Sequence, residues 1–213
     1  MKNSAMFILL LFVSSFGFGQ TSDFFALWPD TVLAKANSAK DVDYMNDNEK
    51  EAVMWTNLVR INPALFCDTY LKDYLKENGL KKDKAIRDLM SELKETSPRS
   101  ILQPHPRLTE FAREHAKDMG ESGRTGHRTS SGESYSSRVS HMTDVFSHIN
   151  ENCNYGNALG KDAVMDLLID RNVPNVGHRK NILDPNMGFI GIAIEPHKRW
   201  RHNCVQEFGK KLP

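Results

Sequence analysis

The spacing of apolar residues changes once along this chain, and that change limits what the chain can fold into. Up to Arg171 the apolar positions recur with a helical period; beyond His178 they alternate. In GFIGIAIEP, Ile190, Ile192 and Ile194 alternate with Gly191, Ala193 and Glu195, and the turn PHKR leads into RHNCVQEFG. This predicts a strand, a turn and a second strand. Upstream, NDNEKEAVMWTNLVRINP offers Asn46 or Asp47 as N-cap, places Ala52, Trp55 and Val59 on one face and stops at Pro63, which predicts a helix. PALFCDTYLKDYLKENG predicts a second, with Pro63 in its first turn, Gly79 just past its end and Phe66, Tyr70, Leu71 and Leu75 as its stripe. KKDKAIRDLMSELKET reads as a surface helix with Ile86, Leu89, Met90 and Leu93 on one side. From Leu108 to Glu121 the stripe is Leu108, Phe111, Ala112, His115 and Met119, so His115 reads as a packed core histidine. A further helix from Leu159 to Arg171 turns Val164, Leu167 and Leu168 inward. Helices followed by a small antiparallel sheet define an α+β class.

The remaining segments read as connections. Residues 21–45 show little periodicity and are expected to be an extended lead-in, and the Gly-, Ser-, Thr- and Arg-rich residues 120–150 a long loop of the kind that carries function. At the N-terminus Lys2 precedes the apolar run MFILLLFVSSFGF, the layout of a signal peptide over residues 1–20 with cleavage near Gln20. The run is too short for a stable membrane span, and no cysteine follows it to take a lipid anchor. The expected location is therefore secreted or periplasmic, with one domain over residues 46–213. Lys+Arg 28 against Asp+Glu 27 leaves a formal net charge of +1, which argues against a nucleic-acid partner.

The three cysteines after the signal segment are Cys67, Cys153 and Cys204. In an oxidising compartment one disulfide and one thiol are expected, with three buried thiols as the alternative. Cys153 with Cys204 is the favoured pair because both lie in the half of the chain that carries the site motifs. It would close a loop worth about 4 kcal/mol.

Chemically capable residues concentrate in three short segments: GHRTSSGE around His127, ENCNYG around Glu151 and GHRKNILDP around His178. Two imidazoles and a carboxylate can hold a divalent metal such as zinc if the fold brings them together. The helical metalloprotease pattern of two histidines with an intervening Glu is absent, as are the nucleophile elbow and the phosphate-cradling Gly-rich loop. Cys67 lies in a helical apolar pattern with no catalytic signature beside it. Glu133 and Arg138 read either as a surface ion pair or as part of a cleft rim. Arg179 reads as a structural tie, and Asn152 and Asn181 as backbone-bonding amides. His197 and His202, flanking the hairpin turn, are expected to face solvent.

Taken in order, A-x-x-H-A-x-D-M (Ala112 to Met119), G-H (Gly126, His127), E-N with Gly156, G-H-R-x-N-I-L (Gly177 to Leu183), the I-G-I strand and C-V-Q-E-F (Cys204 to Phe208) resemble the CAP superfamily. That superfamily comprises cysteine-rich secretory, antigen 5 and pathogenesis-related proteins and bacterial secreted relatives, and the resemblance covers roughly residues 50–210. It implies an α-β-α sandwich with a central cleft where two histidines and two acids face each other. His127, Glu151 and His178 match three of these positions, and Asp170 stands where eukaryotic members carry a Glu. The expected metal ligands are His127 and His178, with zinc or another divalent cation as cofactor.

The leading expectation is a binding module whose cleft holds a cation and a small ligand, lipid or peptide. One alternative is a metal-dependent hydrolase with Glu151 or Asp170 as catalytic base. Another is lipid or sterol binding without metal.

Overall fold

The structure, a computed structural model, describes residues 27–212. The signal segment with its cleavage site near Gln20 lies outside the described residues. The expected extended lead-in is in part helical: Asp30–Ala36 forms α1 and rests against the next helix. That helix, α2, runs over Asp47–Ile61 and begins as its sequence dictates, with the Asn46 side chain accepting from Glu49 N while Glu49 reaches back to Asn46 N. After it come α3 (Pro63–Phe66), one π turn (Cys67–Leu71) and α4 (Lys72–Glu77), which together occupy the span predicted as one helix. The predicted surface helix is α5 (Lys84–Glu95), capped by Asp83. It buries Ile86, Leu89 and Leu93.

A two-residue strand, β1 (Gln103–Pro104), precedes α6 (Pro106–Ser122), which ends at Gly123 in a left-handed conformation. The expected loop 120–150 contains regular structure. Tyr135–Ser140 is α7, and Phe146–Tyr155 is a strand, β2. The strand escapes a reading by alternation because its buried positions include Glu151, Asn152 and Asn154, so polarity does not separate its two faces. Next are α8 (Gly160–Ile169), α9 (Gly177–Leu183), β3 (Phe189–His197) and β4 (Arg201–Lys211).

The sheet has the order β1-β3-β4-β2, antiparallel except for the β1–β3 pair. Alternation then sorts the strands' side chains into two layers. Ile190, Ile192, Cys204 and Phe208 face the large core shared with α2 to α5, α8 and α9, whereas Ala193, Val205 and Cys153 pack against Ala112 and Ala116 of α6. The result is an α-β-α sandwich. Fully buried Arg60 donates from its guanidinium to the carbonyls of Ser100, Ile182, Asp184 and Met187, which ties α2 to the chain leaving α9.

The same alternation overturns the expected disulfide. Cys153 pairs with Val205 and Asn154 with Cys204, so the two sulfurs point to opposite faces of the sheet. Cys67, Cys153 and Cys204 are all buried free thiols.

Candidate functional site

The outer strand β2, the loop before α7, the α8–α9 connection and the β3–β4 hairpin surround a cleft of about 480 Å³ lined by His127, Asp170, His178, Cys153, Tyr155 and Trp200, among others. The first three are residues singled out in the sequence. The fourth, Glu151, lies beneath the cleft, 5% exposed.

Each histidine is held by an acid. His127 Nδ1 is 2.8 Å from Glu151 Oε1, and His178 Nδ1 is 2.7 Å from Asp170 Oδ1. An ionised carboxylate only accepts, so each Nδ1 donates, and in the neutral imidazole the lone pair is then on Nε2. Neither Nε2 has a protein hydrogen-bond partner among the described residues.

Asp170 owes its place to two helix ends. It closes α8 in a left-handed conformation, φ 54°, where the helix dipole disfavours a carboxylate. Its Oδ2, however, accepts from the backbone N–H groups of His178 (3.0 Å) and Arg179 (3.3 Å) at the start of α9. The carboxylate thus sits at the positive end of the next helix. Arg179 is structural as expected, with its buried guanidinium on the carbonyls of Leu168 and Ile169 and on Glu92. Asn152 and Asn181 knit β2 to α9: Asn181 Nδ2 donates to Asn152 Oδ1 and Asn152 Nδ2 to the His178 carbonyl.

Glu151 sits in a buried network that sequence reasoning mostly missed. Arg138 pairs with it at 2.9 Å, donates to the His127 carbonyl at 3.0 Å and stacks over Phe111 at 4.7 Å. Arg138 is therefore neither a rim residue nor the partner of Glu133, which accepts from Ser137 instead. Glu207 stands opposite Glu151 in the β2–β4 register, fully buried, with Arg138 Nη2 at 3.7 Å. Burial and then the charge of Glu151 hold Glu207 well above the usual carboxyl range. Burial would raise Glu151 too, but the His127 hydrogen bond, with Glu207 and the Arg138 charge, outweighs it and brings the group down to about 2.

His115 is buried on the α6 stripe as predicted, yet it belongs to this network, with Nε2 donating to Gly126 O at 2.8 Å and lying 3.9 Å from Glu151. The atoms of His115, Glu151 and Cys153 lie within 4.8 Å of one another and by type could hold a metal ion. Burial, then Glu151 and Glu207, push the Cys153 thiol well above its ordinary range, so it stands protonated beside the Glu151 carboxylate. His197 is a correction. It is 3% exposed, donates from Nε2 to Arg124 O and accepts at Nδ1 from the N–H groups of Arg199 and Trp200.

The Glu207 assignment predicts a pH signature. A carboxyl whose folded value is raised stabilises the fold fully below its unfolded value, about 4.3, and that contribution is lost as pH rises toward the folded value. Glu207→Gln should remove the loss, so its stability relative to the parent protein is expected to increase from pH about 4 to about 7.5 in urea unfolding. A constant difference across that window would show Glu207 ionised in the fold.

Residues 88–208 match the CAP family, described as the cysteine-rich secretory protein family. The chain belongs to the CAP family. The match covers more than half of the sequence and includes every cleft residue named above. Among solved structures, this CAP protein is similar to an extracellular protein containing an SCP domain from Bacillus anthracis, at 19% identity and TM-score 0.44, covering 65% of this chain and 43% of that one. It is also similar to an outer surface protein of Borrelia burgdorferi (20% identity, TM-score 0.44, 62% of this chain and 96% of that one). A third is venom allergen-like protein 4 of Schistosoma mansoni (12% identity, TM-score 0.47, 79% and 92%). No curated protein matches the chain. Among the described residues no helix is long and apolar enough to cross a membrane.

Proposed function

We propose that this CAP protein is an exported binding module whose cleft takes a divalent cation, zinc by choice of ligand chemistry, between His127 and His178, and beside it a small ligand. The observation that carries this reading is the pair of imidazoles lining one cleft, each hydrogen-bonded through Nδ1 to a carboxylate and neither bonded by the protein at Nε2 among the described residues. That arrangement fits a metal, since ligating histidines characteristically donate their other N–H to a carboxylate. A bound cation would supply a positive, Lewis-acidic anchor for a carboxylate, phosphate or carbonyl of the ligand. The chain's own acids are poorly suited to the hydrolase alternative. Glu151 is buried, engaged by Arg138 and His127 and held to about 2, and Asp170 already accepts three hydrogen bonds. A general base needs a free lone pair within reach of water.

Calorimetric titration with zinc at pH about 7.5 and about 5.5 tests the reading. Affinity is expected to fall at the lower pH, where protons compete for the imidazoles, and to fall by at least about a hundredfold in the His127→Ala, His178→Ala variant. Equal affinity in variant and parent would remove the metal from this cleft.

A further inference from the structure

The tip of the β3–β4 hairpin reads Lys198, Arg199, Trp200, Arg201, and all four residues are exposed. Trp200 is 46% exposed, whereas Trp28 and Trp55 are buried at 2% and 6%. None of the three cations forms an ion pair among the described residues. A fourth, exposed Arg124, stands in the neighbouring loop: its carbonyl accepts from His197, and Lys198 flanks Gly123. Glu121 and Glu195 line a pocket with Lys198 and Arg201, but Glu195 is engaged by Arg113, so in a chain of formal net charge +1 the cations outnumber the free acids around one protruding indole.

The tip is also fixed in shape. Buried His197 binds the N–H groups of Arg199 and Trp200 from below at 3.1 Å each, and Arg201 takes a left-handed conformation, φ 67°, to re-enter β4. The Trp200 backbone is held, so its side chain stays outside the core.

We propose that this hairpin tip docks the protein on an anionic lipid bilayer, the cations on lipid phosphates and Trp200 at headgroup depth. Charge complementarity favours that occupant, since basic side chains gather at a negative membrane surface and an indole prefers the interface where one end is apolar and the other wet. A neutral or apolar partner would leave this excess of cations without counter-charge. Because Trp200 also lines the cleft with His127 and His178, docking would set the cleft mouth at the headgroup layer.

The test is cosedimentation of the full protein with phosphatidylcholine vesicles and with vesicles of equal parts phosphatidylcholine and phosphatidylglycerol, with tryptophan emission recorded alongside. Binding is expected only to the anionic vesicles, weakening with salt, with a blue shift of the emission that Trp28 and Trp55, already buried, do not supply. Lys198→Glu, Arg199→Glu is expected to lower partitioning by about fivefold or more per residue. Trp200→Phe should abolish the blue shift while retaining binding. Circular dichroism of each variant matching the parent keeps the comparison on the surface and off the fold. Equal partitioning to both vesicle types, no binding to either, or unchanged binding in the charge-reversed variant would overturn the proposal. So would binding to a soluble polyanion such as heparin with none to anionic vesicles.

Discussion

Glu151→Ala is expected to destabilise the protein by about 3–5 kcal/mol. The substitution leaves the guanidinium of Arg138, 6% exposed and stacked on Phe111, without its counter-charge, and it releases His127 Nδ1. Breaking one side of a buried pair costs far more than the pair is worth net, because the stranded charge stays desolvated. Arg138→Ala should cost a similar amount for the mirror-image reason, with Glu151 then left beside Glu207. Replacing both with apolar residues should cost less than the sum of the two single changes. Urea unfolding of the three variants reads this directly. Additive costs would mean that Arg138 and Glu151 contribute separately, and the picture of Arg138 as the clamp that sets Glu151, and through it His127, would fall.

The second large effect is steric. At Gly191 an added Cβ would stand 2.1 Å from the carbonyl carbon of Leu108 and 2.2 Å from Thr109 N. Those are backbone atoms at the start of α6, so no rotamer change relieves the clash. Helix and strand would have to part, opening the layer that contains Ala112, Ala116, Ala193 and Val205. Gly191→Ala is therefore expected to lose at least about 3 kcal/mol. Gly79→Ala offers the contrast, because nothing lies within 4 Å of its added Cβ and only its φ of 60° resists the change. Thermal unfolding separates the two. If Gly191→Ala melts with the parent protein, the close approach of α6 to β3 does not hold in solution.

The helices and the closing hairpin were legible in the chain because each signal is local. Asn46, Pro63 and the Ile190–Ile192–Ile194 alternation fix a cap, a turn or a face within a few residues. The motifs around His127, Glu151 and His178 pointed to the cleft residues through their ordered resemblance to the CAP family; their spacing alone did not show that they converge.

What only the tertiary structure decided is how residues far apart share one environment. β2 was hidden because burial of its polar residues is compensated by Arg138, Asn181 and Asp166, all distant in sequence. Glu207 could not be told from a surface acid until the β2–β4 register set it opposite Glu151. The same register parted Cys153 from Cys204, since a one-residue offset across two strands sends side chains to opposite faces. Asp170 looked ill placed at the end of α8 and became a cap only once α9 turned its N–H groups toward it. Sequence alone determined most of the helices, the closing hairpin and the chemistry available. The register of three strands and the approach of α6, α8 and α9 decided which charges are neutralised, and that follows from long-range packing, which no local pattern encodes.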